Sequence, residues 1–222
     1  MMHISPDQIV YWQWEFVVIN ATLVFTWLVM LLLGIGSWLV TRHLSTDPQL
    51  SRWQNLLEVL VINLREQIQS TSGQNPDRYL PFVGTLFIFI ATANLLSVVP
   101  LYHPPTGSLS TTAALAVSVF FAVPIFGVRQ QGIGKYLHHY LEPNPLLLPL
   151  NIISELSQTL ALTVRLFGNV MSEGLIGAIL LSLAPFFFPI IMQALGLLTG
   201  FIQAYVFAIL AVVYISAASH EN

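Results

Sequence analysis

Residues 160–168, LALTVRLFG, place one arginine, Arg165, inside an apolar stretch. A permanent positive charge within an apolar segment is the feature that decides the fold. Across all 222 residues, 55% are hydrophobic and only 8% are charged, whereas ordinary soluble domains carry about 25% charged residues. The mean hydropathy is +0.75. Because so few charges could not keep a folded surface in water, the sequence predicts an integral membrane protein with Arg165 inside the bilayer.

The same composition excludes several functional classes. The chain has no cysteine, which excludes disulfide scaffolds, cysteine-ligated metal sites and thiol catalysis. A net charge of −3 with seven scattered cations forms no basic patch for a nucleic acid. His138 and His139 near Glu142 could suggest a metal, but adjacent residues point to different faces, so a solvated loop is favoured. We therefore expect no metal, no cofactor and no enzymatic centre in this chain.

Outward from Arg165, the hydropathy pattern predicts an all-α protein that forms a single membrane domain over residues 1–222. A membrane-crossing helix needs about 20 apolar residues, and five segments satisfy this: 16–40, 79–101, 109–128, 146–183 and 189–218. Residues 50–70 instead carry apolar side chains every three to four positions, which predicts an amphipathic helix on the membrane surface. The last two crossings exceed the required length, so we expect a long tilted hairpin.

The distribution of cations predicts the orientation of the chain. Arg42, Arg52, Arg65 and Arg78 follow the first crossing, and two more cations follow the third; the other loops have none. Because cytoplasmic loops carry the excess of Lys and Arg, the N-terminus is expected outside and the C-terminus in the cytoplasm. No targeting signal is recognisable before residue 16, which favours a bacterial inner membrane, although an organelle-encoded chain would look similar.

Arg165 is the one cation outside this pattern. Burying an arginine near the bilayer centre costs at least ~2.5–3.5 kcal/mol on insertion scales, and the side chain cannot lose its proton. Glu155 and Glu173 lie ~15 and ~12 Å away along the helix axis, too far for a direct ion pair. The alternatives are a snorkelling or internally paired arginine, or a counter-ion supplied by another helix or subunit.

The helical pattern around Arg165 favours the second alternative. At about 100° per residue, one narrow stripe of this helix is polar or small almost throughout. A second stripe, with spacings of three and four, follows the last helix. Together they predict a concave polar wall in the membrane, although routine helix packing could also produce such stripes. The first stripe contains Ser154, Gln158, Ala161, Leu162, Arg165, Gly168, Asn169 and Ser172; the second contains Gln193, Gly196, Gly200, Gln203, Phe207 and Tyr214.

These motifs resemble subunit a of F-type ATP synthases, also known as the ATPase subunit 6 family, the membrane stator of a rotary motor. The resemblance covers about residues 79–219 and rests on four features. They are RLFGN at 165–169, QAYVF at 203–207 with YIS at 214–216, Asn94 before Pro100, and PPTGSLSTT at 104–112. The N-terminal third fits by layout only.

The resemblance implies a role for several residues. Arg165 matches the essential arginine that faces a ring of c subunits, each of which brings a carboxylate into the membrane. Ions would then enter and leave the ring through two aqueous half-channels, with Gln203 facing the arginine and Asn169 one turn beyond it. The implied partners are the c-ring, peripheral stalk b-type subunits and the remainder of the F1Fo complex, and the chain itself would bind no nucleotide.

The sequence departs from the family pattern at two positions. Family members commonly have an acid at the position of Gly174, paired with a histidine or acid at the position of Gly196. Here the nearest acid is Glu173, one residue before that position. The proline usual six positions before the arginine is Thr159. The coupling ion therefore stays open between H⁺ and Na⁺. The expected ion pathway is Gln203, Asn169, Glu155, Glu173, Asn94, Ser172, Gln158 and His103, with Gly168, Gly196 and Gly200 packing against the c-ring.

A stand-alone secondary transporter that binds an anionic substrate through Arg165 is the alternative function. Such transporters are commonly built from repeated halves with broken helices near the midplane, and no repeat is visible here. A purely structural membrane anchor would not explain an arginine that is so costly to bury.

Overall fold

The computed structural model of the protein describes residues 7, 10–14, 17–42, 52–99, 102–136, 148–183 and 188–218. Within these ranges, a short β-hairpin is followed by six long helices. The hairpin consists of β1 (Val10–Trp14) and β2 (Val17–Asn20). The helices are α1 (Ala21–Thr41), α2 (Arg52–Ser72), α3 (Leu80–Leu95), α4 (Leu109–Gln131), α5 (Leu148–Leu183) and α6 (Phe188–Ala217).

The hairpin adds two short strands to a chain whose described elements are otherwise helical, as predicted, and it corrects the prediction of a first helix that starts at residue 16. β1 and β2 pair antiparallel, with Val10 opposite Asn20 and Trp14 opposite Val17. Their sequences, VYWQW and VVIN, are rich in aromatic and β-branched residues, which favour strands over helices. The first helix therefore begins only at Ala21.

Among the described residues, four helical segments are long and apolar enough to cross a membrane: Ala21–Leu39, Leu80–Val98, Leu109–Gln131 and Ile190–Ala217. They coincide with four of the five predicted crossings, and the chain is a helical, multi-pass membrane protein. The fifth candidate is α5, which spans 36 residues and contains Glu155, Arg165 and Glu173.

The core forms where α6 packs against α3 and α5. Small side chains on α6 are fully buried at this contact, so the helix backbones can approach closely. Gly200 marks a close contact between α6 and α3, because a Cβ atom placed there would lie 2.7 Å from the Cβ of Asn94. The fully buried small residues of α6 are Ala204, Ala208 and Ala211.

Helix α2 is amphipathic, as its sequence predicts. Leu64 and Ile68 are buried in the core, while Glu58 and Glu66 are exposed on the other side. Arg65 also lies on the exposed side and pairs with Asp77 at 2.7 Å. Both members of this ion pair are about half exposed (53% and 56%), so solvent screens it and it contributes little to stability.

The contact at Gly200 predicts a loss of stability for Gly200→Ala. The added methyl group would force Asn94 and α3 away from α6, and overpacking of this kind typically costs about 1–3 kcal/mol. We expect a lower midpoint in thermal unfolding of the purified complex. Gly34→Ala is the matched control, since a Cβ atom there meets nothing within 4 Å. Equal midpoints for the two variants would contradict the close helix contact.

Candidate functional site

Arg165 lies on the surface of α5 with its side chain exposed. No described residue forms a hydrogen bond or ion pair with its guanidinium group. The buried face of the same helix, which packs on the rest of the chain, is formed by Thr159, Leu162, Thr163 and Leu166. The arginine therefore points away from its own chain.

The rest of the predicted stripe around Arg165 is also largely uncovered. Ser154, Ala161 and Ser172 are exposed, Gln158 and Gly168 are partly exposed, and only Leu162 is buried. The Gln158 amide donates to the Ser154 hydroxyl at 3.4 Å, a contact within the stripe itself. A polar surface on an apolar helix is thus left open beside the arginine.

A polar link between α5 and α6 lies one helical turn beyond Arg165. The Asn169 side-chain amide donates to Oε1 of Gln203 at 2.7 Å. Gln203 is only 4% exposed, and its Nε2 has no hydrogen-bond partner among the described residues. The two residues that the resemblance placed near the arginine are therefore in direct contact with each other.

A cavity of about 440 Å³ opens between α3, α5 and α6. Its polar lining consists of Asn94, Ser97, Glu173 and Gln193. The Glu173 carboxylate lies directly over Gly196, so closely that a Cβ atom at residue 196 would overlap Oε1. The glycine of α6 thus leaves the space that the glutamate of α5 occupies.

Asn94 holds one wall of this cavity through two hydrogen bonds. Its Nδ2 donates to the carbonyl of Gly200 at 3.0 Å, and its Oδ1 accepts from the Thr106 hydroxyl at 2.7 Å. Thr106 is completely buried. Thr106 stands within the PPTGSLSTT motif, but nothing in the sequence shows that its hydroxyl reaches Asn94, so its role could not be predicted.

Two glycines lie elsewhere than the sequence analysis expected. Gly196 and Gly200 are buried and contact Glu173 and Asn94, so they face other helices of the same chain and not a partner. Gly168, by contrast, is partly exposed and has open space where a Cβ would be. Helical spacing groups residues on one face, but it does not say which neighbour covers that face.

His103 lies in the loop between α3 and α4, outside the set of residues that line the cavity. Its ring centroid is 6.2 Å from that of Phe25 on α1. The neighbouring Tyr102 stacks edge-on against the same phenylalanine at 4.9 Å, and burial raises the pKa of the Tyr102 hydroxyl. The loop is therefore held against α1 by aromatic contacts.

Glu155 is half-buried near the start of α5, ~15 Å along the helix from Arg165. It lies near Tyr136, which follows α4 and packs on Gly127. Burial, and then the negative charge of Glu155, raise the pKa of Tyr136 to about 12. No sequence motif marks Tyr136, so its position near Glu155 could not be predicted.

Metal ligands are not clustered in the part of the chain that the structure describes: no three His, Cys, Asp or Glu side chains could hold one ion. His138, His139 and Glu142, the pair and its neighbour that were weighed as a metal site, lie outside the described residues.

The sequence matches a known protein family over most of its length. The family described as "ATP synthase A chain" matches residues 23–216. The chain belongs to this family. ATP synthase subunit a 2 of Acaryochloris marina (strain MBIC 11017) is 64% identical over 221 residues, covering 100% of this chain and 94% of the relative. ATP synthase subunit a of Albidiferax ferrireducens (strain ATCC BAA-621 / DSM 15236 / T118) is 60% identical over 218 residues, covering 98% and 94%.

Membership in the ATP synthase A chain family confirms the resemblance inferred from the motifs. ATP synthase subunit a 1 of Chlorobaculum parvum (strain DSM 263 / NCIMB 8327) adds a third relative, 58% identical over 221 residues and covering 100% of this chain and 98% of the relative. The chain is accordingly a non-catalytic membrane subunit that serves ATP synthesis and ion transport. This membership disfavours the stand-alone secondary transporter.

The contact between Glu173 and Gly196 predicts a functional defect without a stability defect. In Gly196→Ala, the added methyl group would displace the carboxylate, and a flexible glutamate can rotate away at little cost to packing. We expect ATP-driven ion transport to fall several-fold while assembly and thermal midpoint stay unchanged. The matched control is Gly177→Ala, which lines the same cavity with no atom within 4 Å. Normal transport in Gly196→Ala would show that the position of the carboxylate is unimportant.

Proposed function

We propose that the chain is the ion-translocating stator subunit of a rotary F-type ATP synthase, with Arg165 facing a ring of c subunits. The observation that carries this proposal is the exposed guanidinium of Arg165, which has no partner among the described residues. A permanent charge in an apolar helix requires a counter-ion, and a carboxylate on a neighbouring membrane subunit would supply it.

The same charge accounts for directional rotation. A fixed guanidinium favours the ionised form of a nearby carboxylate and disfavours its neutral, ion-loaded form. A c subunit therefore releases its ion before it passes Arg165 and is reloaded only after it has passed. The arginine also prevents ions from leaking directly between the two half-channels. The Asn169–Gln203 hydrogen bond supports this surface from behind, one turn away.

Two polar regions are the candidates for the half-channels. The cavity beside Glu173 and Asn94 would form one of them, and Glu155 with the open Gln158 and Ser154 surface would belong to the other. Ser172 and Asn169 lie on the uncovered stripe between Arg165 and the cavity. His103 would contribute from the loop above α3. The coupling ion is H⁺ or Na⁺.

The proposed arrangement in the membrane follows the sequence. Residues 1–222 form one membrane domain with five crossings, and α5 and α6 are the tilted hairpin that faces the c-ring. The amphipathic α2 lies on the cytoplasmic surface of a bacterial inner membrane, with the N-terminus outside and the C-terminus inside. Peripheral stalk b-type subunits and the remainder of the F1Fo complex would bind the other faces.

The proposal predicts that Arg165→Ala abolishes coupled transport. We expect ATP-driven ion uptake by vesicles containing the whole complex to fall to background, because the c-ring carboxylate loses its counter-charge. ATP hydrolysis by the detached head should persist. Arg129→Ala is the control, since Arg129 is an exposed arginine in the last turn of α4. Normal uptake in Arg165→Ala would assign the arginine a structural role and refute the mechanism.

The same vesicles identify the coupling ion. Uptake that requires Na⁺ and persists with a protonophore would assign Na⁺, whereas uptake that is independent of Na⁺ and collapses with a protonophore would assign H⁺. The Gly196→Ala variant should be impaired for whichever ion is moved, because Glu173 would be displaced in either case.

A further inference from the structure

Asp7, which precedes the β-hairpin, is held between two distant parts of the chain. Its Oδ1 accepts a hydrogen bond from the Thr22 hydroxyl at 2.6 Å, and its Oδ2 accepts one from the Ser108 hydroxyl at 2.6 Å. Thr22 is 4% exposed and Ser108 is completely buried. Hydrogen bonds to a charged acceptor are roughly twice as strong as neutral ones, so this carboxylate connects α1 firmly to the loop before α4.

The loop that Asp7 holds is the one that reaches Asn94. Pro105–Gly107 forms a tight helical turn, closed by a hydrogen bond from the Ser108 amide to the carbonyl of Pro105 at 3.0 Å. Thr106 within this turn donates to Asn94, which in turn donates to Gly200 on α6. The turn is therefore fixed at Ser108 by Asp7 and at Thr106 by Asn94.

This turn also borders the cavity beside Glu173. Pro104, which begins the turn, lines the cavity together with Asn94 and Gly200. A shift of the turn would move Pro104 and loosen the Thr106–Asn94 hydrogen bond at the same time. The part of the cavity wall that Pro104 and Asn94 form thus depends on a contact made by Asp7.

We propose that Asp7 is a positioning residue of the ion pathway, which holds the Pro105–Gly107 turn against Asn94 and so fixes the width of the cavity. The role rests on the proposed function, since it matters for transport only if the cavity carries ions. Asp7 itself does not line the cavity and acts through Ser108. Its contact to Thr22 anchors Asp7 to α1.

The test uses a single thiol in the wall of the cavity. Because the chain has no cysteine, Ser97→Cys introduces a unique probe among the residues that line the cavity. We would measure its rate of labelling by a hydrophilic maleimide in the purified whole complex, and quantify the label on this chain by mass spectrometry. Adding Asp7→Ala should raise the rate several-fold, and Ser108→Ala should do the same.

Two further variants separate positioning from anchoring. Thr22→Val removes only the contact to α1, so it should leave labelling unchanged. Asp7→Asn keeps one acceptor oxygen and should give an intermediate rate, and it serves as the test variant if Asp7→Ala fails to assemble. Labelling that is unchanged in both Asp7 variants, or raised equally by Thr22→Val, would overturn the proposal.

Transport measurements provide a second criterion. Thr106→Val removes the hydroxyl on the other side of the turn. Asp7→Ala alone and Thr106→Val alone should each slow ATP-driven uptake several-fold. Because both act through the same turn, the double variant should be no slower than the slower single variant. Multiplicative effects would contradict a shared mechanism. Faster labelling in Asp7→Ala together with normal uptake in Arg165→Ala would retain the positioning role but refute the ion pathway.

Discussion

A guanidinium group that cannot lose its proton, held in an apolar helix without a partner in the described chain, is the constraint on which this structure depends. Arg165 can remain in a membrane only if its charge is hydrated or matched from outside. Helix α5 therefore packs on the core along one face alone, and its arginine face stays open. In the proposed function the chain is therefore half of a site, and a carboxylate of a partner subunit would supply the missing charge.

The carboxylates of α5 are arranged around this charge. Glu155 and Glu173 stand on opposite sides of Arg165, at ~15 and ~12 Å along the helix axis. Each is half-buried in a different part of the chain: the charge of Glu155 acts on Tyr136, and the carboxylate of Glu173 lies against Gly196. One helix thus carries two acidic positions separated by a fixed positive charge. The proposed function requires this order, because its two half-channels must stay separate.

Much of this organisation can be predicted from the sequence, because hydrophobic length and helical period are local properties. The bounds of α2 to α6 agree with the predicted segments to within a few residues outside α3, whose regular part ends at Leu95 before a 3₁₀ turn. The motif RLFGN identified the family. The β-hairpin was missed because an apolar run before a helix can be either strand or helix, and its aromatic and β-branched residues favour a strand.

The contacts between helices could not be predicted in the same way. The period of α6 groups Gly196, Gly200 and Gln203 on one face, but only the packing shows that α3 and α5 cover it. Likewise, Thr106 and Asp7 have no recognisable spacing relative to Asn94, since their hydrogen bonds join residues that are far apart in the chain. Pairings of this kind are set by tertiary structure.

The contact between Gly196 and Glu173 constrains how these two positions can change in evolution. One supplies the space and the other fills it, so a bulky residue on α6 and an acid at this point of α5 exclude each other. In a relative with a side chain at 196, an acid at 173 would have to rotate away from this point, or the acid would have to stand elsewhere on α5. We therefore expect correlated substitutions at these two positions, which are 23 residues apart in the chain.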